Sequence, residues 1–102
     1  MEVTILEGPT VITAQFVGRL DTAASQEVAL AVQPLLDKAG KKIVLDCKEL
    51  SYISSSGLRI FLTIRKAAAT KGGEVVVKHM NADIRQVFMM TGFLNMFEIE
   101  DD

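Results

Sequence analysis

Ile43-Val44-Leu45-Asp46, followed by Tyr52-Ile53-Ser54-Ser55-Ser56-Gly57-Leu58, sets the reading of this chain: a short aliphatic strand, three consecutive hydroxyls, and a strongly helical run from Leu58 to Lys71. The unbroken apolar strand is of the kind buried on both faces of a partly parallel sheet, and Val75-Val76-Val77 repeats it. Between the two, Leu58, Ile60, Phe61, Leu62, Ile64 and Ala68 fill a wide apolar arc, while Arg59, Thr63, Lys66 and Thr70 form one narrow polar strip. That pattern predicts a crossover helix docked on a sheet. A small exposed serine then stands at or near a helix N-terminus, where unsatisfied N–H groups and the positive end of the helix dipole would hold an anion such as a phosphoryl group.

Towards the N-terminus, Val3 and Ile5, then Val11, Ala14 and Phe16, lie in two strand-like runs joined by Glu7-Gly8-Pro9-Thr10, which predicts a β-hairpin. Gly18 closes the second strand in this reading. Asp21 or Thr22 caps a helix running to about Lys38 and ended by Gly40, with Ala24, Val28, Ala31, Val32, Leu35 and Leu36 as its buried stripe. Pro34 should kink this helix or split off its last turn. After Gly72-Gly73 and the Val75–Val77 strand, Asn81 caps a third helix from about Ala82 to Met90, with Ile84, Val87 and Phe88 inward and Thr91-Gly92 ending it. Phe93, Leu94, Met96 and Phe97 make a short helical turn or packed segment, and Glu98 to Asp102 an acidic tail. The order β, β, α, β, α, β, α, α describes residues 1–102 as one α/β domain.

With 102 residues, 49% hydrophobic and 24% charged, the composition is that of a soluble globular protein. A net charge of −2 with interspersed signs argues against direct nucleic-acid binding. No apolar run approaches the roughly 18 residues of a membrane-spanning helix, so direct membrane insertion is not expected. Met1-Glu2-Val3-Thr4 does not begin a basic-then-apolar leader, and a cytoplasmic location is the expectation. Cys47 and His79 are the only residues of their types, which leaves no intrachain disulfide and no Cys/His metal site. Cys47 is read as packing rather than as a reactive thiol, and His79 as an edge or loop residue rather than a base.

A catalytic triad at Ser55 would have only His79 as its base, and no Gly-x-Ser-x-Gly elbow surrounds it. A phosphate-cradling P-loop needs more glycines than Gly57 alone. For Ser54, Ser55 and Ser56 the structural reading is capping, which uses one hydroxyl; the spare serines suit either a solvated turn or a phosphorylation switch. Arg59 and Lys66 are by default a solvated face, open to an acidic partner. Met80, Met89, Met90 and Met96 are read as core filling, with an adaptable protein-binding surface as the alternative.

The run from Leu45 to Leu58, Leu-Asp-Cys-Lys-Glu-Leu-Ser-Tyr-Ile-Ser-Ser-Ser-Gly-Leu, resembles the signature of STAS domains, in particular the free-standing bacterial anti-sigma factor antagonists. Gly18-Arg19-Leu20-Asp21 resembles the family's segment before its first helix, and Ile84 to Phe93 its C-terminal helix and the Thr-Gly segment that follows. The resemblance implies a STAS fold, a mixed sheet of about four strands flanked by helices. It also implies that Ser55, two positions before Gly57, is phosphorylated by an anti-sigma factor that is itself a serine kinase. Many members carry aspartate just before the acceptor, where this chain has Ser54; sequences reading Ile-Ser-Ser also occur in the family. Cys47 and Lys48 depart from the commoner Leu-Ser, with no functional meaning attached.

Asp21 is structurally an N-cap, and by resemblance it also lies on the surface that meets the kinase; Ser54, Ser55, Ser56, Gly57 and Arg59 are the other expected partner-binding residues. Asp46, at a strand end, fixes the loop leading to Ser55. The implied protein is an anti-anti-sigma factor with no catalytic activity and no cofactor, whose partners are an anti-sigma factor serine kinase and a serine phosphatase. The alternative is a STAS subunit of a membrane lipid-transport ABC system, and a small hydrolase using Ser55 is the third reading.

Overall fold

In the computed structural model, which describes residues 1–100, the Gly8-Pro9 turn joins β1 (Glu2–Glu7) to β2 (Val11–Leu20) as an antiparallel hairpin. Three helical crossovers follow. Helices α1 (Thr22–Ala31) and α2 (Gln33–Asp37) lead to β3 (Lys42–Ile53), and α3 (Ser55–Lys71) leads to β4 (Glu74–Lys78). Helix α4 (Ala82–Met90) and a 3-10 turn at Phe93–Asn95 lead to β5 (Glu98–Glu100). The sheet order is β1-β2-β3-β4-β5, parallel throughout except for the hairpin.

The mixed α/β sheet is as expected, with five strands in place of about four. The fifth was hidden in the acidic tail: Glu98 and Glu100 look solvated, yet the backbone pairs with β4 and Ile99 packs against the core. Charges on a short edge strand also discourage pairing with other chains. Asp101 and Asp102 of that expected tail lie outside the described residues.

Pleat alternation puts Ile12, Ala14 and Phe16, Ile43 and Leu45, and Val75 and Val77 on one face of the sheet, and all four helices bury their apolar sides against it. All five phenylalanines join this layer. Phe61 lies 5.1 Å from Phe16 and 5.9 Å from Phe88 between ring centroids, and Phe93 and Phe97 extend the chain of contacts. The packed segment expected after α4 is thus anchored by aromatic rings.

Burial on both faces holds for β3 and β4, but by a different means from a second helical layer. Val44 and Val76 point away from the helices and are nevertheless 6% and 0% exposed. Lys42 on β3 reaches towards Glu100 on β5 at 3.9 Å, and Glu100 also pairs with Lys78 at 3.2 Å. In this register Val76 lies between them, so the aliphatic stems of the charged side chains cover it while their heads stay in water.

Pro34 acts as its chemistry requires. It sits in the first turn of α2, where its missing N–H costs nothing, and the long expected helix is split at Val32. The break rotates the stripe, so Val28, Val32 and Leu35 are buried whereas Ala31 is exposed. At the far side Lys38 and Lys41 hold Glu7 at 2.6 Å and 3.0 Å, and these two hydrogen bonds, Lys38 first, keep its carboxyl below the usual range. Gly18 does not close β2. Its φ of 105° marks an irregularity inside a strand that continues to Leu20.

Candidate functional site

Strand β3 is far longer than its aliphatic run suggests, because two register shifts against β2, between Gln15 and Val17 and between Gly18 and Arg19, carry it past polar residues. Such bulges re-aim side chains without ending the strand. Asp46 therefore lies mid-strand rather than at a strand end beside a loop, and its carboxylate accepts a hydrogen bond from the Lys48 N–H at 3.0 Å. The β2–β3 ladder closes on the pair Leu20 and Ile53. The next residue on each strand is a helix N-cap.

Asp21 caps α1: its Oδ1 accepts the Ala24 N–H at 2.9 Å, and its carbonyl accepts the Ser25 hydroxyl at 2.8 Å. Ser54 caps α3: its Oγ accepts the Gly57 N–H at 3.2 Å, and its own N–H donates to the Leu20 carbonyl at 2.9 Å. Asn81 does the same for α4 towards Ile84 at 2.8 Å, and its amide also donates to the Leu50 carbonyl at 3.0 Å. Three helix N-termini thereby meet one edge of the sheet, the carboxyl ends of its parallel strands, where α/β folds place their ligand sites.

The three serines are sorted by this geometry. Ser54 is 8% exposed with its hydroxyl committed to the cap, Ser55 is the exposed first residue of α3, and Ser56 is half-buried behind it. The Ser55 and Ser56 N–H groups lie in the first turn, which has no acceptor of its own within the helix. A Cβ on Gly57 would stand 2.7 Å from Leu20 Cγ and 2.9 Å from Ile53 Cγ1, so glycine lets α3 seat against the end of the ladder.

The STAS domain model matches residues 1–102. The chain belongs to the STAS domain family. It is 35% identical over 94 residues to BtrV of Bordetella bronchiseptica, provisionally named an anti-sigma factor antagonist, covering 92% of this chain and 79% of BtrV. To the anti-sigma F factor antagonist of Paenibacillus polymyxa it is 29% identical over 93 residues, covering 90% and 80%. The Bacillus cell fate determinant SpoIIAA, solved in its phosphorylated form, shares the fold with a TM-score of 0.76 at 17% identity, covering 99% and 91%.

Of the residues singled out in the STAS signature, Asp21, Ser54, Ser55, Ser56 and Gly57 converge where α1 and α3 begin, and Arg59 is exposed one turn further along α3. Ser54 enters this group as a buried cap. What sequence reasoning missed is Arg19 stacked on Tyr52, 4.4 Å from guanidinium carbon to ring centroid, at the adjoining end of the ladder. Both residues were visible within the quoted motifs, but only the register shows that they are neighbours.

Cys47 and His79 fall to structural roles. Cys47 is fully buried, and burial, then the neighbouring Asp46 charge, pushes its thiol up to about 12, which suppresses the thiolate a nucleophile needs. His79 follows β4 with φ 61° and donates its N–H to the Glu100 carbonyl at 3.4 Å, a connector as read. The methionines divide: Met80 and Met96 pack on the core, whereas Met89 and Met90 on α4 are 61% and 77% exposed, against the expectation of core filling. No helix among the described residues is long and apolar enough to cross a membrane.

Gly57→Ala is expected to destabilise by about 1–2 kcal/mol net, as overpacking costs about 1–3 kcal/mol and the better helix former returns at most about 1 kcal/mol. Urea unfolding measures it. A stabilised variant would show that α3 does not need its close approach to Leu20.

Proposed function

We propose that this chain is an anti-sigma factor antagonist: unphosphorylated, it docks on an anti-sigma factor that is a serine kinase and so releases the sigma factor, and phosphorylation of Ser55 ends the docking. The observation that carries the reading is the sorting of the serines. Ser55 offers an exposed hydroxyl at the head of α3, while Ser54 does the capping that would otherwise occupy it. The names borne by BtrV and the Paenibacillus relative support the same role.

In the transfer step the Ser55 hydroxyl oxygen attacks the γ-phosphorus of the kinase's ATP, its proton passes to a base on the kinase, and ADP leaves. The product carries about −1.5 to −2 charges at neutral pH beside the positive end of α3, so the modification favours the helix instead of melting it. Ser54 in place of an aspartate leaves no carboxylate adjacent to the acceptor in sequence. The switch then works through charge and bulk on the docking surface, and a partner phosphatase resets it by hydrolysing the ester.

Incubation with the cognate kinase and ATP, followed by peptide mapping, should place a single phosphoryl group on Ser55. Mapping to Ser54 or Ser56, or no transfer by a kinase active on other substrates, would refute the assignment.

A further inference from the structure

Arg19 and Tyr52 are direct partners in the β2–β3 ladder, one step before Leu20 and Ile53 deliver the caps Asp21 and Ser54. Their outward orientation follows from the second register shift. Gly18 at φ 105° absorbs the irregularity, and the Ser51 hydroxyl donates to the Gly18 carbonyl at 3.0 Å to fix it. Both side chains face water, Tyr52 with 40% of its surface exposed.

Five lysines mark the contrast. Lys38, Lys41, Lys42 and Lys78 lie against carboxylates, and Lys71 against the carbonyls that end α2. No carboxylate among the described residues pairs with Arg19, which is held by the face of an aromatic ring with its N–H edges open. A guanidinium stacked in this way is already oriented, so it surrenders little side-chain freedom when a carboxylate meets its fork. Exposed Arg and Tyr are also the residue types that concentrate binding energy at protein interfaces. Exposed Arg59 and the dipole of α3 add positive potential to the same edge, against the Asp21 carboxylate, whose Oδ1 is engaged in the α1 cap.

We propose that the Arg19–Tyr52 pair is a specificity contact of the docking surface, receiving a carboxylate-bearing segment of the anti-sigma partner on the guanidinium and apolar surface of that segment on the ring. The inference rests on the functional reading above and extends its surface from the head of α3 onto the end of the β2–β3 ladder. A partner presenting a basic group at this point would be rejected, because like charges brought together at an interface are strongly unfavourable.

The test uses the kinase that phosphorylates Ser55, titrated calorimetrically with the full chain and its variants, each also melted by circular dichroism. Arg19→Glu should weaken binding about tenfold or more, Arg19→Lys and Tyr52→Ala by several-fold, and Tyr52→Phe not measurably, since the ring face and not the hydroxyl is used. Melting points should stay near that of the wild type. Replacing the facing carboxylate of the kinase by lysine should recover binding to Arg19→Glu. If Arg19→Glu and Tyr52→Ala bind like the wild type while Ser55→Asp does not, this contact is wrong and the switch stands. If affinity falls only in step with melting point, the pair merely holds the ladder and the inference is overturned. Failure of the wild type to bind any kinase that phosphorylates it overturns the functional reading and the contact together.

Discussion

Ser55→Ala is expected to bind the anti-sigma kinase at near wild-type affinity and to stay bound when ATP is added, whereas Ser55→Asp binds about 100-fold more weakly, or about 2.7 kcal/mol. The contrast follows from where the hydroxyl sits. Ser54 already satisfies the Gly57 N–H, so removing the Ser55 hydroxyl leaves the cap of α3 untouched. A carboxylate at residue 55 imitates part of the phosphate charge at an exposed helix head, where the dipole stabilises it by about 0.3–1 kcal/mol. The Asp variant should therefore melt no lower than the wild type while losing its partner, which distinguishes a surface switch from unfolding. Asp21 needs a paired test, because Asp21→Ala also removes the α1 cap at a cost of about 0.5–2 kcal/mol. Asp21→Asn retains the cap, so weaker docking by that variant reports on the charge alone. Calorimetric titration against the kinase, with circular dichroism as control, decides the matter: equal affinity of the Ala and Asp variants at residue 55 would sink the mechanism.

How much of this was legible beforehand depended on whether the physics was local. The hairpin turn, the cap at Asn81 and the polar strip of α3 are set by residues within one or two turns of each other, and the structure has them as read; it also chooses Asp21 over Thr22 as the α1 cap and a split over a kink at Pro34. β5 and the long reach of β3 are set by pairing with distant strands. Glu98-Ile99-Glu100 has one apolar residue to offer, and Cys47 to Ser51 alternate too irregularly to look like a strand until the bulges are seen. The candidate site divides in the same way. That one of three serines would cap and another be exposed followed from helix ends in general, but which did which required the Ser54 Oγ to Gly57 contact. Arg19 and Tyr52 lie 33 positions apart in the chain, beyond the reach of any periodicity.

Gly73→Ala is expected to cost about 3 kcal/mol or more, a large share of the roughly 5–15 kcal/mol that holds a domain folded, while Gly72→Ala costs only about 1–2 kcal/mol. The two glycines adjoin but are needed for different reasons. Gly72 ends α3 with φ 78°, and nothing lies within 4 Å of where its Cβ would be, so the penalty there is conformational and Gly72→Asn should recover part of it. At Gly73 a Cβ would fall 1.9 Å from the Ala39 carbonyl oxygen and 2.7 Å from that of Lys41. These are backbone atoms of the turn that leads into β3, just before Lys42 pairs with Glu74, and no rotamer change can clear them. The variant must separate the first rung of the β3–β4 ladder. At about 4–8 °C per kcal/mol its melting point should fall on the order of 15 °C. A Gly73→Ala loss no greater than that of Gly72→Ala would show that this approach is not rigid. Gly73 lies beyond the opposite end of a 17-residue helix from Ser55, about 25 Å away along the axis. Each molecule that does fold should consequently accept phosphate on Ser55 at the wild-type rate, so the kinase assay separates lost stability from a damaged site.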